Sequence, residues 1–371
     1  MSASRALLLK LVENRVLRLH WSPLFDEPAP FAPDSVDFDR VCGMLLGLCI
    51  GDALGNTSEG MLPKHRFLAH GEIRDYLPNR YAEGKPVGLP SDDTQLAFWT
   101  LEHLTDHTAL EPEALARLFA SRQIFGIGGT VREFVRRSQA GLPWFEATVE
   151  SAGNGALMRI APVVVPHLRQ AGSDFWADAA LCGALTHNDF ASISACVAFS
   201  GILGELLVAP QPPSPQWWIE AYVSRARSLE GETRYKPRGG ALAGRYDGSL
   251  WRFIAERVPA ALAMERDVLE ACDEWYSGAY LLETVPSVLY VLSRHAHDPE
   301  EAIVRAVNDT KDNDTIAAIV GAAVGALHGE MALPKRWREG LLGRTSASDD
   351  GRIFQLLDAT KSVFASGPTA I

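Results

Sequence analysis

The sequence predicts an all-α protein, a compact helical bundle around one continuous core, and three observations carry that prediction. From Val36 onward most segments repeat apolar residues at three- and four-residue spacing, the period of a helix face. Hardly any segment alternates apolar and polar residues, as a half-solvated sheet requires. The last strongly periodic run, Thr315 to His328, is built on Gly321, Ala322, Ala323, Gly325 and Ala326. Glycine costs a helix interior about 1 kcal/mol relative to alanine, so this helix must be buried in a tight bundle to hold its shape.

Residues 1–36 read as an arm outside a main domain expected over 37–365. Leu7, Leu8, Leu11, Val12 and Leu17 make a short amphipathic element, and Pro23 to Pro33 an extended linker. Phe38, Val41, Cys42, Leu45, Leu46 and Leu48 then mark a helix on which Gly43 and Gly47 let another backbone come close. It ends in a turn, Gly55 to Gly60, that carries Glu59. A loop rich in Pro and Gly, Pro78 to Pro90, precedes Ser91-Asp92-Asp93-Thr94 and the helical run Leu96-Ala97-Phe98-Trp99.

The helical pattern continues through Glu113 to Ser121, and Gly126-Ile127-Gly128-Gly129-Thr130 interrupts it ahead of a helix beginning near Val131. Backbone amides in such a loop can hold an anion. Without a strand-G-x-G-x-x-G frame or a Walker lysine, the ordinary dinucleotide and P-loop readings are weak. Gly153-Asn154-Gly155 precedes Met158-Arg159; taken alone, either glycine cluster is more often a turn than a ligand loop. Thr186-His187-Asn188-Asp189 opens a long helix through Ala195, Phe199, Ile202 and Leu206, where the ordinary reading is a capping residue beside an exposed histidine. After a break at Pro210 to Pro215, residues 217–250 read as an irregular surface excursion. Helices resume over Ala260 to Trp275 and Tyr280 to Leu292, with Pro286 kinking or starting one, and the last is Thr315 to His328.

Hydrophobic residues make up 47% and charged residues 22% of the 371, an ordinary globular composition. The formal charge of −11 argues against a nucleic-acid backbone or an anionic membrane as the main partner. Five cysteines without a C-x-x-C pair suit reduced thiols in the cytoplasm and supply no zinc ligand set. The apolar run Ala6 to Leu9 is broken by Lys10, Glu13 and Arg15, too early for a secretory segment. No stretch was expected to reach the roughly 18 apolar residues of a membrane span.

Two acidic pairs organise the chain. Ser91-Asp92-Asp93-Thr94 and Asp312-Asn313-Asp314-Thr315 each introduce an apolar helical run. Carboxylates are favoured at helix N-termini, so two well-capped helices is the plain reading of either pair. Four carboxylates with hydroxyls are also the ligand set of a hard divalent cation such as Mg²⁺ or Ca²⁺, provided that the pairs meet in space.

Five segments stand out together in order: Gly51-Asp52-Ala53-Leu54-Gly55 with Glu59, Ser91-Asp92-Asp93-Thr94, Gly153-Asn154-Gly155 with Met158-Arg159, Thr186-His187-Asn188-Asp189, and Asp312-Asn313-Asp314-Thr315. The set resembles the ADP-ribosylglycohydrolase family, the group that includes the glycohydrolase reactivating dinitrogenase reductase, over roughly residues 37–330. The resemblance implies an all-α orthogonal bundle that holds two Mg²⁺ ions, with Mn²⁺ as an alternative, and hydrolyses the bond from ribose C1″ of ADP-ribose to a modified side chain. By matching positions it makes Ser91, Asp92, Asp93, Asp312, Asp314 and Thr315 metal ligands. It sets Glu59 near the scissile bond, His187 and Asp189 near the ribose, and Gly153, Asn154 and Gly155 on the loop that approaches ribose or diphosphate. Gly128 and Gly129 join the substrate-binding candidates.

The base stays open between Glu59 and an aspartate not engaged with metal, Asp92 or Asp93 among them. The expected partners are ADP-ribose and an ADP-ribosylated protein, modified on arginine in the first instance. A cognate ADP-ribosyltransferase, bound as by an immunity protein, is an added expectation from the unmatched arm; a catalytically weak ADP-ribose-binding or transferase-binding protein is the alternative. One departure stands out. Asp309-Thr310-Lys311 replaces the Gly-Gly pair common before the last acidic motif, so Lys311 either pairs with a carboxylate or turns outward to substrate.

Overall fold

The computed structural model describes residues 2–32, 35–169, 172 and 174–365. Its helices are α1 (Ala3–Glu13), α2 (Phe38–Gly55), α3 (Pro63–His70), α4 (Asp92–His107), α5 (Pro112–Ser121), α6 (Gly129–Gln139), α7 (Trp144–Ala147), α8 (Asp174–Ala184), α9 (Phe190–Leu206), α10 (Pro215–Glu230), α11 (Leu250–Ala263), α12 (Val268–Trp275), α13 (Leu281–His295), α14 (Pro299–Asp309), α15 (Asn313–His328), α16 (Lys335–Gly340) and α17 (Arg352–Phe364). Among the described residues the sheet content is one antiparallel pair, β1 (Pro78–Asn79) with β2 (Lys85–Pro86). The all-α expectation holds.

Helices α2 and α15 form the axis, and their sequences explain how closely they pack. A Cβ added at Gly47 would stand 2.1 Å from the Gly321 carbonyl oxygen, and one at Gly55 would stand 2.4 Å from Asp314 Cα. Any side chain larger than hydrogen would force the backbones apart, which is why the weak Gly/Ala helix needs this partner. The same contact sets Asp52, on the last turn of α2, beside Asp314 on the first turn of α15.

The helical segment Phe38–Ser58, α2 and the 3₁₀ turn that follows it, is long and apolar enough to cross a membrane, contrary to the expectation that no stretch qualifies. Most of it is buried in the protein, so its hydropathy is that of a helix surrounded on all sides by core.

Further elements differ from the expectation. Residues 215–230 are not an excursion but helix α10, with Trp218, Ile219 and Tyr222 buried; the irregular part is confined to 231–249. The single helix expected over Ala260 to Trp275 is two, the end of α11 and α12, whereas Pro286 lies inside the expected Tyr280 to Leu292 helix, here α13. Helices α3, α7, α8, α14, α16 and α17 do not follow from the sequence pattern.

The N-terminal arm is docked. Leu8, Leu11, Leu17, Leu19, Leu24, Phe25 and Phe31 belong to the same buried cluster as α2 and α15, and Pro23–Asp26 forms a 3₁₀ turn where an extended linker was expected. The apolar side of the arm is therefore turned inward. Met1, Pro33 and Asp34 of the expected arm lie outside the described residues.

Candidate active site

Ser91 and Asp312 occupy the N-cap positions of α4 and α15, yet neither side chain makes a capping hydrogen bond. The plain capping reading thus fails at both helices, and for α4 the reason is visible at Asp52. Its carboxylate crosses from α2 to cap α4. Oδ2 accepts from the Thr94 amide at 3.1 Å and the Thr94 hydroxyl at 2.6 Å, Oδ1 accepts from the Ser91 hydroxyl at 2.7 Å and Asn56 Nδ2 at 3.0 Å, and the Ser91 amide donates to Oδ2 at 2.9 Å.

The two acidic pairs do meet, in two overlapping triads. Carboxylate oxygens of Asp52, Asp93 and Asp314 lie within 4.8 Å of one another, and so do those of Glu59, Asp312 and Asp314. Asp314 belongs to both. Asp52, Asp93 and Asp314 are buried and Asp312 is half-buried, whereas Glu59 stands at the exposed mouth.

So many carboxylates in one place repel one another, and their proton affinities record it. Burial, then Asp52 and Asp314, pushes Asp93 well above the usual carboxylate range. Burial, then Asp312 and Glu59, does the same to Asp314. Asp92 is raised to about 8 by burial and then Asp52, and Glu59 is raised by burial and then Asp312. Burial lifts Asp312 to about 6, with a hydrogen bond from Asn154 acting in the opposite direction. Oδ1 of Asp93 is buried and has no hydrogen-bond partner. An oxygen-only donor set, an orphaned carboxylate oxygen and unbalanced negative charge together fit a divalent cation of the Mg²⁺ or Mn²⁺ type.

The remaining candidates surround this floor. Asp92 stands outside both triads against the glycine loop: a Cβ at Gly126 would lie 3.5 Å from Asp92 Oδ1, and the Gly128 amide bonds to the Asp92 carboxylate. Gly128 caps α6 and Gly129 opens it; a Cβ at either would meet nothing within 4 Å, so both face open space. The Thr315 amide donates to Asp314 Oδ1 at 2.9 Å. Asn154 Nδ2 donates to Asp312 Oδ2 at 2.6 Å and to the Thr284 hydroxyl at 3.0 Å, fixing the Gly153–Gly155 loop to the floor.

His187 is buried, not exposed. Arg159 Nη2 donates to the Thr186 hydroxyl at 2.9 Å, and that hydroxyl is hydrogen-bonded to His187 Nδ1 at 2.8 Å. Nε2 is the nitrogen facing the glycine loop, where a Cβ at Gly153 would stand 3.4 Å away. Burial and Arg159 hold its pKa down to about 3, so the ring is neutral. Asp189 is the N-cap of α9, accepting from Ala191 and Ser192 amides at 2.9 and 3.2 Å and from the Tyr235 hydroxyl at 2.9 Å. Between them Asn188 turns away to the arm, donating to the Val16 carbonyl at 2.7 Å and accepting from the Arg18 amide at 2.8 Å.

A cleft of about 420 Å³ opens beside the second triad, lined by Glu59, Gly60, Arg238, Tyr276, Gly278, Ala279, Lys311 and Asp312. Lys311 contacts the Tyr276 hydroxyl, with its ammonium 3.9 Å from that ring's centroid. Its ammonium is thus held by an aromatic side chain rather than by a carboxylate. Tyr276 and Ser277 hold left-handed backbone angles, φ 79° and 45°, a strained pair for residues with side chains. Through it the Ser277 carbonyl accepts from the Asp312 amide at 2.9 Å and the Ser277 hydroxyl from the Lys311 amide at 3.0 Å.

With this geometry in hand, the likenesses are specific. The ADP-ribosylglycohydrolase family profile matches residues 33–365, leaving α1 and most of the arm outside. An ADP-ribosylarginine hydrolase, Tri1, of Serratia proteamaculans is 26% identical over 338 residues, 87% of this chain and 80% of the relative. The ADP-ribosyl-[dinitrogen reductase] glycohydrolase of Rhodospirillum rubrum is 25% identical over 306 residues, 81% and 89% of the two chains. A solved structure described as an ADP-ribosylglycohydrolase-related protein complex superposes with a TM-score of 0.66 at 25% identity, covering 88% of this chain and 98% of that one. The chain belongs to the ADP-ribosylglycohydrolase family, whose members are glycosyl hydrolases.

Proposed function

We propose that this ADP-ribosyl hydrolase is Mg²⁺-dependent and removes ADP-ribose from arginine side chains of modified proteins, with residues 37–365 as the catalytic domain. The observation that carries the reading is Asp314, a buried carboxylate shared by two triads. Asp52, Asp93 and Asp314 would hold one ion and Glu59, Asp312 and Asp314 a second, with the Ser91 and Thr315 oxygens at their edge. Bound ions would neutralise the carboxylates and orient ribose hydroxyls. Five free cysteines support a cytoplasmic setting.

The protein's own groups account for the rest. Water adds at C1″ as the bond to the acceptor nitrogen breaks, through an oxocarbenium-like transition state. Glu59, exposed at the mouth, takes a proton from the water and returns it to the departing nitrogen. The neutral His187 and the amides of the Gly153–Gly155 loop face the ribose, while Gly128 and Gly129, with open space where a side chain would stand, let the nucleotide approach closely. Arg238 and Lys311 line the cleft with positive charge, matching a diphosphate that must lie close to a floor of carboxylates.

The test is incubation with proteins ADP-ribosylated on arginine or on serine, with Mg²⁺ or with chelator. Release from arginine in Mg²⁺ alone is expected; release from serine only, or release in chelator, contradicts the reading. Glu59→Gln is expected to lower turnover about 100-fold at saturating Mg²⁺. Full turnover in that variant would move the base to Asp92, Asp93 or Asp314. Lys311→Met should raise KM about five- to tenfold with kcat little changed, the mark of binding used equally in ground and transition states; steady-state kinetics on the arginine substrate decide it.

A further inference from the structure

Arg66 is the largest unexplained feature near the site. It lies on α3, has no solvent exposure, and forms no ion pair within salt-bridge range of a carboxylate among the described residues. Its guanidinium is spent on backbone. Nη1 donates to the carbonyls of Val307 at 2.9 Å, Asn308 at 3.2 Å and Thr310 at 2.7 Å, while Nη2 donates to Met61 at 2.9 Å and Lys311 at 3.4 Å. Nε donates to the Ser58 hydroxyl at 3.1 Å, which also accepts from Asn313 Nδ2 at 3.1 Å and donates to the Gly55 carbonyl at 3.2 Å.

These acceptors fall in two stretches of chain. Ser58 and Met61 flank Glu59 on both sides. Val307 to Lys311 are the end of α14 and the turn leading into Asp312. The last carbonyls of a helix have no partners within it and carry its negative pole, so a buried cation there is held by the backbone itself. Burial lowers the Arg66 pKa only to about 10, with Asp314 and Asp309 acting in the opposite direction, and the group stays charged at neutral pH.

We propose that Arg66 is a positioning residue that locks the Glu59 turn and the Asp312–Asp314 turn into one rigid unit, and so sets the spacing of the second carboxylate triad. A rigid planar fork suits this task, because its five N–H groups point in fixed directions toward both stretches. Lysine keeps the charge but offers one ammonium, which cannot reach both. The proposal uses the metal-dependent reading only for what Glu59 and Asp312 do; the coupling of the two turns stands apart from it.

The test is hydrogen exchange of the full-length Arg66→Lys protein in chelator, followed by calorimetric titration with MgCl₂. Exchange at 58–61 and at 307–313 should quicken together, at least tenfold, and Mg²⁺ affinity should fall about tenfold. Val258→Ala, a core change on α11 away from the site, should lower thermal stability without either effect. Should Arg66→Lys fail to fold, Ser58→Ala, which removes the acceptor shared by Arg66 and Asn313, is expected to quicken exchange in both stretches two- to fivefold. Quickening in one stretch alone, in neither, or equally throughout the protein overturns the proposal. Absence of Mg²⁺ binding in the unmutated protein would count against the metal reading while the exchange result still decided the role of Arg66.

Discussion

Asp314→Asn is expected to lower kcat/KM on ADP-ribosyl-arginine protein by at least about 10³-fold, on the order of 4 kcal/mol of transition-state stabilisation. Asp314 is the carboxylate common to both triads, so one isosteric change removes a ligand charge from each. Stability should move the other way. In chelator, Asp314 is buried beside Asp312, Glu59 and Asp52, which raise its proton affinity, and replacing it by a neutral amide relieves that repulsion. The variant should therefore melt higher than the unmutated protein without metal, and lower than it with Mg²⁺. Steady-state kinetics and thermal melts in the two conditions measure this. Near-normal activity, or loss of stability in chelator, contradicts the role given to Asp314.

The second large effect is linkage between metal, pH and stability. A carboxyl whose folded pKa is raised holds its proton longer in the folded state, so the folded state is favoured as pH falls. Stability without metal should accordingly decline from the ordinary carboxylate range upward through about 6, for Asp312, and about 8, for Asp92. Mg²⁺ replaces the missing positive charge and should restore what is lost. A site filled at 100 times its Kd gains about 2.7 kcal/mol, and two such sites should raise the melting temperature on the order of 10 °C. The gain should be larger at pH 8 than at pH 5.5. A Mg²⁺-induced shift that is absent, or larger at the lower pH, contradicts the linkage.

What could be read from the sequence was whatever depended on local spacing. The starts of α4 and α15, the glycines of α2, and the Thr186–Asp189 entry to α9 are short-range patterns, and the structure has all of them. Asp52 was the carboxylate overlooked. In sequence it is one polar residue in an apolar helix, and its work is to cap another helix some forty residues later. The clue was its place between Gly51 and Ala53, where the close approach of α15 leaves no room for an idle charge.

Helix α3 was missed for a related reason. Half of its eight residues, Pro63 to His70, are polar, and exposed Phe67 and Leu68 face away from the core. What anchors it is a buried arginine bonded to carbonyls, which no apolar period reports. Helix α10 was read as irregular because Pro210 to Pro215 suggested a break, whereas Pro215 serves as a first-turn proline.

Anomalous scattering from crystals of the protein grown with Mn²⁺ tests the metal-site assignment at its root. Two peaks are predicted, one among the Asp52, Asp93 and Asp314 oxygens and one among those of Glu59, Asp312 and Asp314. Ions bound away from Asp314, or none bound at saturating Mn²⁺, would contradict it.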